Sequence, residues 1–180
     1  MVAAVVAGAF RASQETGHLP SRDLLAVLHS VARDVSAGTY TMPFGILELA
    51  PHGRARWYSA AAPPVLVLRK GGDVDSFTVS GTPLGSNTFA LGERSFELVV
   101  GDRILLTSDG VSELRLSSGY DLGLRRLAKL LQTTESVNVK RARDEIAERL
   151  DKMRGHEVLY DDVTFALIEL RAVRSKLSLA

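Results

Sequence analysis

Before residue 40 the apolar positions recur at helical spacing, and after it they alternate in short runs cut by turn residues. Val2–Glu15 is a run of small and apolar residues with Arg11 near its polar end; it predicts a helix, its small residues buried against a sheet. Gly17 and Pro20 punctuate. Pro20-Ser21-Arg22-Asp23 then opens a second helix with Ser21 as N-cap. Along Arg22–Ser36 the positions Leu24, Leu25, Val27, Leu28, Val31 and Val35 share helical spacing, and Gly38 closes the run. Tyr40–Ala50 and Arg54–Ala60 predict a hairpin about the turn Pro51-His52-Gly53. Strands at Pro63–Leu68, Ser76–Val79 and Arg94–Leu98 follow, with a turn at Lys70–Asp73. This spacing predicts an antiparallel meander rather than βαβ units.

The segment Val99–Arg115 organises the rest. A Gly101-Asp102 turn leads into Arg103–Thr107, an apolar run short enough to be a buried strand. Ser108-Asp109-Gly110 ends it, and Val111–Leu114 begins a helical turn. Helices are expected over Leu122–Gln132 and Val139–Met153, the second with a mixed-charge, solvated face and closed by Gly155. Leu159–Leu170 reads as the last strand, opened by Asp161-Asp162, and 171–180 as a fraying tail.

Composition narrows the classes. With 180 residues and 46% hydrophobic content the chain can build one domain, expected over residues 1–170. The net charge of +1 and the lack of a basic block give no argument for nucleic acid. The absence of cysteine excludes disulfides, thiolate zinc sites and thiol nucleophiles, and is compatible with a cytoplasmic location. His18, His29, His52 and His156 lack metal-ligand spacing. Met1–Phe10 has no basic n-region and is too short to span a membrane, so neither a leader nor a membrane partner is expected.

Asp109 falls at a strand end, where a carboxylate can face a cleft, and Gly110 lets the backbone turn beside it. That placement suits an oxygen-preferring divalent cation, Mg²⁺ or Mn²⁺. An Asp-Gly pair by itself is more often a plain turn. The second acidic strand start, Asp161-Asp162-Val163-Thr164, makes the metal reading worth pursuing.

Three ordered segments resemble the PPM-type metal-dependent serine/threonine phosphatases, in particular their bacterial SpoIIE-like branch with the RsbU-type regulators. GDRILLTSDGVSEL resembles the family's "GD-x-hydrophobic-T-DG-V-x-E" segment, DDVTFALI its closing "DD-I/V-T" strand, and Gly81–Gly85 its "PLG" turn. The pair VAAVVAGAFRAS and LLAVLHSVARDV is similar to the two helices that follow the family's "G-x-G-x-x-A-A" turn. The resemblance implies an α+β fold, an antiparallel β-sheet sandwich flanked by helices. It also implies hydrolysis of phosphoserine or phosphothreonine on a regulatory protein, such as an anti-anti-sigma factor. Two divalent cations, Mn²⁺ or Mg²⁺, would activate water for in-line attack without a phosphoenzyme. Asp109 and Asp161 become the metal ligands and Gly110 the turn residue; Ser108 and Thr164 support them by hydrogen bonds. Asp162, assigned a supporting role, is not separable from Asp161 by sequence.

Two departures matter. The Gly-His that family members often carry before the paired prolines is replaced by Ser59-Ala60-Ala61-Ala62. The family's Asp in a "D-x-x-G-x-G" turn precedes the helix in which Met1 falls, so the resemblance implies an N-terminally truncated domain with part of a two-metal site. Weak or absent cation binding is then expected, and an exposed sheet edge suited to a homodimer. The competing readings are a non-catalytic phosphatase-like interaction module in bacterial signalling, and an unrelated α+β domain in which both acidic sites are turns.

Overall fold

The computed structural model describes residues 2–17, 19–135 and 137–172. They fall into two compact units, one within residues 1–64 and 77–96, the other within 65–76 and 97–180.

In the first unit, α1 (Val2–Thr16) packs on α2 (Ser21–Ser36), and β1 (Phe44–Leu49) and β2 (Arg54–Ala60) form the expected hairpin. Its register runs from Phe44 opposite Ala60 to Leu49 opposite Ala55. The buried side of α2 is Leu24, Leu25, Leu28, His29 and Ala32, packed with Val6, Tyr58 and Leu84. Three expectations fail here. The small-residue helix is not buried: Val6 alone is fully covered, Val2 and Ala9 partly, while Ala3, Ala4, Val5, Ala7, Gly8 and Phe10 are exposed. Among the described apolar residues of α1, positions 2, 6 and 9 form the i, i+4, i+7 stripe that packs into the core cluster, and Val5 and Phe10 fall outside it. Val27 and Val35 likewise face solvent. Ser21 does not cap α2; its hydroxyl bonds the Glu48 carboxylate, and Pro20 stands at the N-cap without a side-chain bond. The first strand begins only at Phe44, because Pro43 lacks an amide for the ladder, and Met42 makes just an isolated bridge to Leu84.

The second unit holds β3 (Val65–Leu68), β4 (Val74–Phe77), β6 (Arg103–Thr107) and β7 (Phe165–Glu169), in the order β4-β3-β6-β7, while β5 (Gly92–Glu97) joins β1 and β2 in the first sheet. Both sheets have antiparallel ladders, with β6 antiparallel to β3 and to β7. The connectivity is not the expected meander: consecutive β2 and β3 lie in different sheets. Ala61, at φ 60°, and the two prolines after it interrupt the ladder, so the chain leaves one sheet and enters the other. α3 (Asp109–Ser112), α4 (Gly123–Gln132) and α5 (Val139–Arg154) complete the unit. Leu127, Leu130 and Leu131 of α4 meet Ile146 and Leu150 of α5 over Leu66 and Leu105 of the sheet. Asn138 caps α5, accepting from the amides of Lys140 (2.8 Å) and Arg141 (3.4 Å). The last strand starts at Phe165, not Leu159, so Asp161 and Asp162 lie in the preceding loop rather than at the strand's first residues. Within the expected tail, 171 and 172 have no regular structure and 173–180 lie outside the described residues. No described helix is long and apolar enough to cross a membrane.

Candidate metal centre

The end of β6 and the loop before β7 meet side by side. The Ser108 amide donates to the Thr164 carbonyl (2.8 Å) as the last ladder bond, and the Thr164 amide donates back to the Ser108 hydroxyl oxygen (3.0 Å). That hydroxyl in turn donates to the Asp162 carbonyl (2.9 Å). Ser108 therefore clasps the segment 162–164 to the strand that delivers Asp109.

Gly110 decides how close the two carboxylate-bearing segments come. It is buried, and a Cβ built on it would lie 2.5 Å from the Asp162 carbonyl oxygen and 3.4 Å from the Asp161 Cβ. The expectation that Gly110 serves a sharp turn is corrected: its φ is not positive, and it sits within the helical turn α3. The glycine is required for space. Adding one Cα–Cα step and one Cα–Cβ bond to the 3.4 Å contact puts the Asp109 Cα within about 9 Å of the Asp161 Cβ. The reading of both acidic sites as unrelated turns expects the two strand ends to lie far apart, and they lie side by side.

Asp109 is half-buried at the first residue of α3, and its Oδ1 accepts from the Gly110 amide at 3.1 Å. Asp161 is exposed, and its Oδ1 accepts from the Asp162 amide at 2.7 Å. Neither carboxylate, nor that of Asp162, has an ion-pair partner among the described residues. Each keeps oxygen lone pairs that these hydrogen bonds do not use. Asp162 contributes its backbone carbonyl to the Ser108 clasp, and Thr164 contributes backbone groups rather than its hydroxyl. Thr107, one residue before the clasp, has a buried hydroxyl with no hydrogen-bond partner among the described residues.

Among the described residues no group of three or more His, Asp or Glu side chains comes together. Two carboxylates with water fit one hydrated, oxygen-preferring divalent ion held weakly. They do not furnish the ligands of a two-ion centre.

Asp102 is the residue whose part the sequence conceals. It reads as a turn, but its side chain is fully buried at the start of β6. It accepts from the amides of Lys70 (2.9 Å) and Val99 (3.0 Å) and from Arg69 Nη1 (2.8 Å). Burial by itself raises its pKa; the two amides and the guanidinium outweigh that and hold it below the ordinary carboxylate value. This junction fixes β6 against the loop after β3, and so fixes the strand that presents Asp109. An Asp between an apolar pair and an apolar strand was the available signal.

The family model described as Stage II sporulation protein E (SpoIIE) matches residues 1–171. Three solved structures share the fold. The SiaA PP2C domain of Pseudomonas aeruginosa is 17% identical with TM-score 0.80, the match covering 94% of this chain and 69% of that one. The RsbU and RsbW domains of a Mycobacterium tuberculosis protein are 23% identical with TM-score 0.77, covering 95% and 48%. The Mn-presoaked phosphatase domain of the cell fate determinant SpoIIE from Bacillus subtilis is 16% identical with TM-score 0.62, covering 97% and 76%. No curated protein sequence matches the chain. The α+β architecture of antiparallel sheets with flanking helices is thus one these solved domains share.

Proposed function

This chain belongs to the stage II sporulation protein E (SpoIIE) family, and from that premise we propose that it is a metal-dependent serine/threonine phosphatase domain acting on a phosphorylated regulatory protein, such as an anti-anti-sigma factor. The observation that carries the reading is the approach of Asp161 to Asp109 across Gly110. In this reading Asp109 and Asp161 hold Mn²⁺ or Mg²⁺ through carboxylate oxygens, and the Mn-presoaked relative supports the choice of ion. When bound, such an ion lowers the pKa of water and offsets charge on phosphoryl oxygens. Ser108 keeps the Asp161–Thr164 segment against the strand end, and Gly110 keeps both carboxylates within reach of one ion. The regulatory partner is supported by the likeness to a structure that carries RsbU and RsbW domains in one protein.

A second reading is favoured by one observation, the lack of a third acidic ligand among the described residues. In it the domain binds its regulatory partner without hydrolysing it. Turnover of p-nitrophenyl phosphate and of a phosphoserine peptide with Mn²⁺, compared among the parent, Asp109→Asn and Asp161→Asn, separates the two. Metal-dependent turnover lost in both variants supports the phosphatase; peptide binding without turnover in the parent supports the interaction module. Cytoplasmic location and a homodimer formed along an exposed sheet edge belong to the same proposal. The edge position of β7 supports the latter, and light scattering of the purified chain tests it.

A further inference from the structure

Helix α4 carries a stripe of uncompensated positive charge that the metal centre does not use. Arg125, Arg126 and Lys129 stand at i, i+1 and i+4, all exposed, while Leu127, Leu130 and Leu131 are buried in the core. Arg126 directs Nη1 at the backbone carbonyls of Asp121 (3.0 Å) and Leu122 (3.5 Å), and Lys129 bonds the Gln132 side chain (3.2 Å). None of these acceptors is charged. Among the described residues no carboxylate lies within ion-pair distance of the three cations, although Arg115, Arg143, Arg149 and Arg154 of the same unit each have an acidic partner. With Leu122, Gly123 and Leu124 they line a groove of about 810 Å³.

We propose that this groove docks a short acidic segment of a partner protein, with carboxylates over Arg125, Arg126 and Lys129 and one aliphatic side chain against Leu124. Charge complementarity selects the occupant. Guanidinium groups present planar donor pairs matched to carboxylates, and three cations with no carboxylate of the described residues within ion-pair distance favour a partner that supplies the missing charge. Nucleic acid fits less well: the cations span about 6 Å along the helix, none of the described residues lining the groove is aromatic for base stacking, and the whole chain carries only +1. A membrane surface fits less well too, because the apolar side of α4 is already buried in the core. This inference stands apart from the chemistry at Asp109.

The test is fluorescence anisotropy of a short labelled peptide of Asp, Glu and Leu titrated with the chain. A charge reversal, Arg125→Glu with Arg126→Glu and Lys129→Glu, is compared with a control reversal on α5, Lys140→Glu with Arg141→Glu. Both sets are exposed positions that Glu occupies without loss of helix propensity, and circular dichroism verifies folding. The expected result is saturable binding, weakened about tenfold or more by the α4 reversal and little changed by the control. A single Leu124→Ser change is expected to weaken binding with the cations intact. No saturable binding, equal loss in the control, or stronger binding to single-stranded DNA or phosphatidylserine vesicles overturns the proposal.

Discussion

Gly110 stands so close to Asp162 that a single added Cβ would lie 2.5 Å from the Asp162 carbonyl oxygen. That atom is backbone, held by the Ser108 hydroxyl, so it cannot swing aside as a long side chain would. Gly110→Ala is therefore expected to push the Asp161–Thr164 segment away from α3. The cost is about 1–3 kcal/mol, as for other overpacked sites, read as a lower urea midpoint. Divalent-ion binding is expected to weaken more than the fold does. An alanine variant with parental stability and parental Mn²⁺ binding would refute this packing.

Ser108→Ala removes two hydrogen bonds, one to the Asp162 carbonyl and one from the Thr164 amide. Both backbone groups lie in an exposed segment where water can replace the hydroxyl, so the loss is about 1–2 kcal/mol. Amide hydrogen exchange reads it directly: the Thr164 amide is expected to lose protection, and the β6–β3 ladder to keep it.

Asp102 predicts an acid-sensitive junction. Its pKa is held below the ordinary 3.8 because, against burial, the Val99 and Lys70 amides and Arg69 favour the carboxylate. The stabilisation is full above that value and is lost as pH falls through the lower folded pKa. Asp102→Ala strands the donors around a buried site and is expected to cost about 3 kcal/mol, the low end for a broken buried pair because Arg69 keeps Asp75. Thermal melts across the acid range are expected to show the parent's steep decline flattened in the variant.

His29 predicts a second, milder pH dependence. Burial, then the nearby Arg33, lowers its pKa from 6.5. Its Nδ1 lies 3.3 Å from the Gly85 amide as acceptor, and its ring lies 4.6 Å from that of Phe89. The neutral ring is the one that fits. Its contribution is present above the ordinary value and is lost as pH falls through the lower folded pKa. In His29→Phe, which keeps a ring beside Phe89, the melting temperature is expected to change less than in the parent between about pH 7.5 and about pH 5.

Much of the fold was legible where turn residues bracket an element. Arg54–Ala60 and Arg103–Thr107 match their strands because Pro51-His52-Gly53 precedes the first, Gly101-Asp102 the second, and Ser108-Asp109-Gly110 follows it. What escaped depends on partners distant in sequence. The late start of β7 accompanies a clasp from Ser108, more than 50 residues upstream. The exposure of α1 follows from which positions face the neighbouring core (2, 6 and 9) and leaves even Val5 and Phe10 outside it, which hydrophobic content does not reveal. The switch of sheets after β2 turns on a positive φ at an alanine that no pattern announces. At the metal centre, strand-end logic finds Asp109 and the acidic pair. It misses that Gly110 serves space and not conformation, and that Asp162 and Thr164 act through their backbones.

The most direct measurement is calorimetric titration of Mn²⁺ into the chain, beside Asp109→Asn and Asp161→Asn. Saturable, weak binding is expected in the parent, abolished in each variant while the melting temperatures without metal stay close to the parent's. Binding that survives either substitution, or no binding in the folded parent, would contradict the claim that these two carboxylates hold one ion.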